Sequence, residues 1–114
     1  MQTHLNRDRL PLTLVAVQGD QPLGTASLRQ REMPIRPNLQ PWLSAVYVRA
    51  DRREEGIGSA LMQAAEDLAW DLDISRLYLF TPEREAFYAR LGWSRREVTH
   101  FRQEQVTIME KVLE

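Results

Sequence analysis

Cysteine is absent from the sequence, histidine is rare and neither sign of charge dominates, and each shortage excludes a class of function. Without cysteine the chain forms no disulfide, no thiolate zinc site and no thiol nucleophile. The two histidines, His4 and His100, lie too far apart to show the spacing of metal ligands, so we predict no metal. A net charge of −1 lacks the basic excess typical of DNA- or RNA-binding proteins, so we predict no nucleic-acid partner.

Long apolar runs are missing as well. No stretch approaches the roughly 20 apolar residues of a membrane-spanning helix, so we predict no membrane association. Residues 1–7 lack the apolar core of a signal peptide, which favours a cytoplasmic location. The length of 114 residues and the hydrophobic fraction of 43% are typical of one globular domain, which we expect to span residues 1–114.

The first part of the sequence has the pattern of β-structure. Residues 12–17 and 23–28 read as strands separated by a turn signal, which predicts an antiparallel hairpin. The segment 29–41 contains three prolines and predicts an irregular connection. Residues 43–48 predict a third strand.

A helix and a buried strand follow. From Ile57 onwards apolar residues recur at helical spacing, with acidic residues on the opposite face. The apolar face comprises Ile57, Leu61, Ala64, Leu68 and Leu72, and the opposite face comprises Glu66, Asp67 and Asp71. Residues 77–80 are apolar on both alternating faces, as in a strand that is covered on each side. Strand, helix and strand in this order predict a βαβ unit.

A second, short helix is predicted between Thr81 and Gly92. Thr81 can cap it, Pro82 suits its first turn and Glu83 complements its dipole. Gly92 is typical of a C-terminal stop. Residues 94–99 and 106–113 predict two closing strands, so the whole pattern predicts an α/β protein with a mixed α+β sheet.

The segment 46–59 carries the clearest functional signal. It leads from the end of a strand to the start of a helix, where the first amides lack partners within the helix and the dipole is positive. Gly56 and Gly58 keep side chains away from this helix end, so the segment can hold an anion such as phosphate. A nucleotide triphosphatase loop needs a lysine directly before Ser59, and a dinucleotide fingerprint needs a third glycine, so neither fits. Taken alone, two glycines are equally compatible with a tight turn.

Two segments together resemble a known family. Residues 53–58, Arg-Glu-Glu-Gly-Ile-Gly, resemble the Arg/Gln-x-x-Gly-x-Gly/Ala motif of the GNAT superfamily of N-acetyltransferases. Residues 87–93, Phe-Tyr-Ala-Arg-Leu-Gly-Trp, resemble its aromatic-Tyr-x-x-x-Gly-aromatic segment, at the matching distance of one helix and one buried strand. The resemblance covers residues 12–113 and implies a GNAT-like acyl-CoA N-acyltransferase fold with a shortened N-terminus. It implies acetyl-CoA as cosubstrate, no metal, and acetyl transfer to a primary amine.

The resemblance also implies roles for the matching positions. The end of the third strand would bind the pantetheine arm through its backbone, the Val48 amide would stabilise the oxyanion, and the amides of the turn would bind the pyrophosphate. The implied cofactor-binding residues are Val46, Tyr47, Val48, Arg53, Glu54, Glu55, Gly56, Ile57, Gly58 and Ser59. Arg53 would hold the loop or screen phosphate charge, unless it is only a solvated surface arginine. Tyr88 would be catalytic and protonate the departing thiolate; the alternative is that it only packs the short helix onto the sheet.

Two departures from the family pattern leave alternatives open. No asparagine lies in the interval 81–86, where many relatives carry one that contacts the cofactor. The N-terminal part before the first strand is short, so the acceptor groove is open, completed by a second copy in a homodimer, or missing because the chain is a fragment. The acceptor is a small-molecule or peptide amine. The alternatives to an enzyme are a non-catalytic acyl-CoA-binding module and an assembly subunit.

Other charged and polar residues have no assigned role at this point. Glu32, Ser44 and His100 are conceivable general bases without a positional argument. Four arginines near the second motif would attract an acidic acceptor or the 3′-phosphate of the cofactor, or would only be solvated. They are Arg84, Arg90, Arg95 and Arg96.

Overall fold

The structure, a computed structural model, describes residues 10–52 and 56–113. In chain order these residues form strands β1 (Leu12–Gln18), β2 (Gln21–Arg29) and β3 (Trp42–Val48), helix α1 (Ile57–Asp71), strand β4 (Arg76–Thr81), helix α2 (Glu85–Arg90), and strands β5 (Ser94–Phe101) and β6 (Glu104–Val112). A short 3₁₀ turn, Ala50–Arg52, follows β3. The strands form one mixed sheet in the order β1-β2-β3-β4-β6-β5, which confirms the predicted mixed α+β fold.

The sheet consists of two antiparallel halves that meet at one parallel pair. β1, β2 and β3 pair antiparallel on one side, and β4, β6 and β5 pair antiparallel on the other. Among the described residues, the only bridge between β3 and β4 joins Trp42 to Tyr78, and the Tyr78 amide donates to the Pro41 carbonyl oxygen at 3.1 Å. Because Trp42 is the first residue of β3, the two halves are joined where β3 begins and are not bridged where it ends.

Strand β3 also carries a bulge at its centre. Ser44 pairs with Ser27 and Tyr47 pairs with Thr25, so Ala45 and Val46 stand opposite the single residue Ala26. An extra residue in one strand bends it and increases its twist. The bulge therefore interrupts the regular alternation of side chains along β3. It lies next to the position where β3 and β4 separate.

Each face of the sheet has its own hydrophobic core. Helix α1 packs on one face, over residues such as Leu28, Leu43 and Leu77, and the other face holds Trp42 and Tyr78. The predicted double-sided burial of residues 77–80 is confirmed, since consecutive β4 side chains alternate between the two cores. None of the helices in the described ranges is long and apolar enough to cross a membrane.

The predicted buried face of α1 is partly wrong. Ala64 is exposed, whereas Leu61 and Leu72 are buried and Ile57 and Leu68 pack against the core, as predicted. The buried face of the helix is wider than predicted. Its buried residues are Leu61, Met62, Ala65, Glu66 and Ala69. Ala65 and Ala69 are almost fully buried, and their small side chains let the helix backbone approach the sheet.

The prediction that Glu66 lies on the solvent face is wrong, since this residue is only 7% exposed. Its carboxylate accepts hydrogen bonds from Lys111 Nζ at 2.8 Å and from Trp93 Nε1 at 3.2 Å. Lys111 Nζ also donates to the Leu91 carbonyl oxygen at 2.8 Å. A buried carboxylate is tolerated only with such partners. We call this set, Glu66, Lys111, Trp93 and Leu91, the clamp, because it ties α1 to β6 and to the turn after α2.

The start of α2 also differs from the prediction. Thr81 Oγ1 accepts a hydrogen bond from the Arg84 amide at 2.9 Å, which holds residues 81–84 in a turn. The helix begins only at Glu85. Thr81 therefore stabilises the turn before the helix instead of capping the helix itself, and Pro82 lies outside it.

We expect the clamp to dominate the stability of this part of the fold. Lys111→Ala leaves the Glu66 carboxylate buried without its cation, which should cost about 3 kcal/mol of unfolding free energy, as for other broken buried pairs. The matched control is Arg95→Ala, which breaks the exposed pair between Arg95 and Glu85 and should cost at most about 1 kcal/mol. Urea unfolding followed by circular dichroism measures both. Equal losses in the two variants would contradict the assignment.

Candidate active site

An open cleft of about 520 Å³ lies at the end of β3, beside the start of α1 and against α2. Most of the residues that the sequence resemblance assigned to cofactor binding line it, together with the predicted catalytic residue. They are Val46, Tyr47, Val48, Gly56, Gly58, Ser59 and Tyr88. The structure therefore brings together the two motifs, which lie about one helix and one strand apart in the sequence.

The start of α1 has the geometry of an anion site. Gly56 adopts φ +80°, in the left-handed region that favours glycine, and no side chain of the described residues caps the helix there. The first amides of a helix have no partners within it, so those of Ile57, Gly58 and Ser59 are directed out of the helix end. The Ile57 side chain itself packs against the core, so only its backbone fits the predicted role. Arg53, Glu54 and Glu55, which the prediction includes, lie outside the described residues.

The turn after α2 fixes the backbone of Tyr88. Gly92 has φ +95°, its amide donates to the Ala89 carbonyl oxygen at 3.1 Å, and the Trp93 amide donates to the Tyr88 carbonyl oxygen at 3.1 Å. These two bonds make a Schellman motif, which confirms Gly92 as the stop of the helix. The clamp holds the same turn, because Lys111 binds Leu91. Tyr88 therefore sits on a short helix that is anchored at its C-terminal end.

The Tyr88 side chain is half-buried beside Phe87, whose ring stands at 76° to it with centroids 5.1 Å apart. Burial raises the pKa of the Tyr88 phenol above its usual value of 10.0, and the positive charge of Arg84 opposes part of this shift. The hydroxyl is therefore protonated at neutral pH and able to donate a proton or a hydrogen bond. A protonated hydroxyl at this place can act as a general acid towards a group of comparable basicity.

The structure divides the four arginines near the second motif into two that line the cleft and two that form ion pairs elsewhere. Arg84 and Arg90 line the cleft, and the Arg84 guanidinium carbon lies 4.6 Å from the centre of the Phe87 ring. Arg95 instead pairs with Glu85 at 2.7 Å, and Arg96 pairs with Glu110 at 3.1 Å. The sequence offers Arg84 and Arg90 only as two of four candidate arginines, and it does not indicate Phe87 as a lining residue. Their common signal is that they surround Tyr88 on or beside one short helix.

A second, smaller pocket of about 280 Å³ adjoins the cleft. It shares Val46, Arg84 and Tyr88 with the cleft, and it includes Glu32 and Ser44. His100 is exposed on β5 and lines neither space, so of the three conceivable bases only Glu32 and Ser44 lie near Tyr88. Within residues 10–52 and 56–113, no three His, Asp or Glu side chains are grouped so that they could hold a metal ion.

Comparison with known proteins shows which family the chain belongs to. The sequence profile described as "Acetyltransferase (GNAT) family" matches residues 2–93 of the chain. No curated protein sequence matches the chain at a significant level.

Many solved structures share the fold. An aminoglycoside 6′-N-acetyltransferase complexed with coenzyme A superposes with a TM-score of 0.76 at 17% identity, over 93% of this chain and 74% of that one. An acyl-CoA N-acyltransferase from Pseudomonas aeruginosa has a TM-score of 0.69 at 26% identity, over 88% of this chain and 67% of that one. A ribosomal-protein-alanine N-acetyltransferase from Brucella melitensis has a TM-score of 0.71 at 24% identity, over 89% and 68%.

The two glycines of the turn should differ in how much they tolerate a side chain. Gly56→Ala forces an alanine into the left-handed region and should lower the unfolding free energy by about 1–2 kcal/mol. Gly58→Ala is the matched control. A Cβ there meets Phe87 and Val48 only at ordinary distances of 3.6 and 3.7 Å, and alanine favours the helix, so stability should be unchanged or slightly higher. Thermal unfolding of both variants measures the difference, and a larger loss for Gly58→Ala would contradict it.

Proposed function

Because the chain belongs to the GNAT acetyltransferase family, we propose that it transfers an acetyl group from acetyl-CoA to a primary amine. The observation that carries this proposal is the position of Tyr88. Its side chain lies in the wall between the cleft at the start of α1 and the second pocket. A hydroxyl at this place can contact the reacting atoms of two molecules when one is bound in the cleft and the other in the pocket.

The cleft suits acetyl-CoA by both its shape and its charge. The start of α1 offers backbone amides to a pyrophosphate, and Gly56 leaves the approach to them open. Arg84 and Arg90 add positive charge along the same cleft. Val46, Tyr47 and Val48 would lie along the pantetheine arm. When bound, acetyl-CoA supplies the acetyl group as an activated thioester.

The residues of the chain then contribute positioning and proton donation. The Tyr88 hydroxyl, which is protonated at neutral pH, would donate its proton to the departing sulfur, a thiolate of comparable basicity. The Val48 amide remains the predicted oxyanion donor. The neutral acceptor amine would approach from the second pocket, since this pocket meets the cleft at Tyr88. The proton that the amine loses on acetylation would restore the Tyr88 phenol.

Acetyl-CoA binding can be tested by calorimetric titration of the purified chain. We expect micromolar binding to the parent protein, as for many cosubstrates, and its loss in Gly58→Trp, whose side chain would fill the cleft. Ala64→Trp is the matched control, because Ala64 is exposed on the same helix and lines no pocket that we describe, so it should bind as the parent does. Absence of binding to the parent would contradict the proposal.

The acid role of Tyr88 predicts a loss of turnover without a loss of affinity. Tyr88→Phe should lower kcat with an accepted amine about 10²-fold, the lower end for general acid catalysis, and leave the Kd of acetyl-CoA within about twofold. Tyr78→Phe is the control, since Tyr78 is buried in the other core and lines neither space. Unchanged turnover in Tyr88→Phe would remove the acid role. Binding of acetyl-CoA without transfer to any of a broad set of amines would instead favour an acyl-CoA-binding module.

A further inference from the structure

The second pocket differs from the cleft in its charge. We propose that it binds the ammonium group of a slender alkyl amine, with Glu32 as the charged partner and Ser44 as the hydrogen-bond partner. The inference rests on the proposed acetyl transfer, and it names the chemical class of the acceptor. The pocket holds about 280 Å³, which is room for an amine with a short methylene chain.

Ser44 is a buried hydroxyl that lacks a partner. Its side chain is 8% exposed, and its Oγ has no hydrogen bond to any described residue. Its neighbour across the strands, Ser27, is equally buried but shares a hydrogen bond of 3.0 Å with Thr13. Leaving a buried polar group unsatisfied costs about 1–3 kcal/mol, so such groups usually have a partner. Since Ser44 lines the pocket, a bound polar group is the natural partner for it.

Glu32 supplies the negative charge at the same pocket. Its side chain is 18% exposed, and within the described part of the chain it forms an ion pair with Arg29 at the long distance of 3.7 Å. The Arg29 side chain is 50% exposed, so solvent screens this pair and the carboxylate has capacity for a second, closer cation. An ammonium group in the pocket would provide it.

The loop that carries Glu32 is fixed by contacts of the residues that follow it. Met33 and Leu39 are buried in the core under β3 and β4. Arg36 donates two hydrogen bonds to the Glu97 carboxylate of β5, at 2.9 and 2.7 Å. A bidentate pair of this kind holds geometry as well as charge. Glu32 is therefore presented to the pocket by a packed loop.

The two spaces differ in the charged residues that line them, although they share a wall. Arg84 belongs to this wall, but its guanidinium stacks on Phe87, which lines only the cleft. Arg90 also lines only the cleft, and Glu32 lines only the pocket. A phosphate-bearing molecule is thus favoured in the cleft and a cationic one in the pocket. Leu43, Leu79 and Phe80 provide the apolar surface for the methylene chain.

The test is direct binding of the diamine cadaverine, measured by calorimetry, with the uncharged n-pentanol as the comparison. We expect cadaverine to bind the parent and n-pentanol to bind far more weakly. Glu32→Gln should weaken cadaverine binding at least about tenfold, the loss expected for one charged hydrogen bond, and Ser44→Ala should weaken it by a smaller factor. Arg29→Gln is the control: it removes the competing cation without altering a pocket residue, so binding should be unchanged or tighter.

The outcomes separate this inference from the proposed function. If the protein binds acetyl-CoA but cadaverine binds equally to the parent and to Glu32→Gln, the pocket assignment is wrong and the transferase proposal stands. If cadaverine binds in a Glu32-dependent way and acetyl-CoA does not bind, the transferase proposal is wrong and the pocket remains an amine site. If Arg29→Gln and Glu32→Gln both bind cadaverine more weakly than the parent does, and with the same affinity, the assignment is also wrong. Such a result would show a structural effect of the ion pair.

Discussion

The single bridge that the described residues form between β3 and β4 is the constraint on which the site depends. Parallel strands joined along their full length would place a continuous ladder of hydrogen bonds where the cleft now opens. Here the described halves of the sheet are joined at Trp42 and Tyr78 only, deep in one core. The bulge at Ala45 and Val46 then bends β3 away from β4. Both the cleft and the smaller pocket use the space that this separation leaves.

A separated sheet needs other contacts across the gap, and helix α1 and the clamp provide them. Helix α1 packs over strands of both halves through one apolar core. The clamp then connects α1 to β6 and to the turn after α2. Because Tyr88 lies on α2, the same buried charges that stabilise the domain also hold the candidate acid beside the start of α1. Stability and site geometry are therefore coupled in this part of the molecule.

Much of the fold could be predicted from the sequence, because each strand and helix has a local pattern. The strand–turn–helix around Gly56 and the stop at Gly92 are examples in which backbone conformation depends on one residue type. Glu66 was assigned to the wrong face because its partner, Lys111, lies 45 positions further on and no local pattern indicates it. The start of α2 was placed too early, because Thr81 can hold either a helix or a turn.

The candidate site could also be predicted only where a local sequence pattern indicates its residues. The lining by Val46 and Tyr88 follows from motifs that are contiguous in the sequence. Glu32 could not be placed, since its position depends on how a proline-rich loop packs and on the distant pair of Arg36 and Glu97.

The clamp has a consequence for how the sequence can change over evolutionary time. Glu66 is almost fully buried, whereas the Lys111 side chain keeps 24% of its surface exposed. A lineage that loses the carboxylate first leaves an ammonium on a flexible stem, which can turn its charge towards water. A lineage that loses the lysine first leaves a charge that cannot reach solvent. The pair can therefore be replaced by apolar residues in one order and not readily in the other, so relatives that lack one partner should far more often retain the lysine.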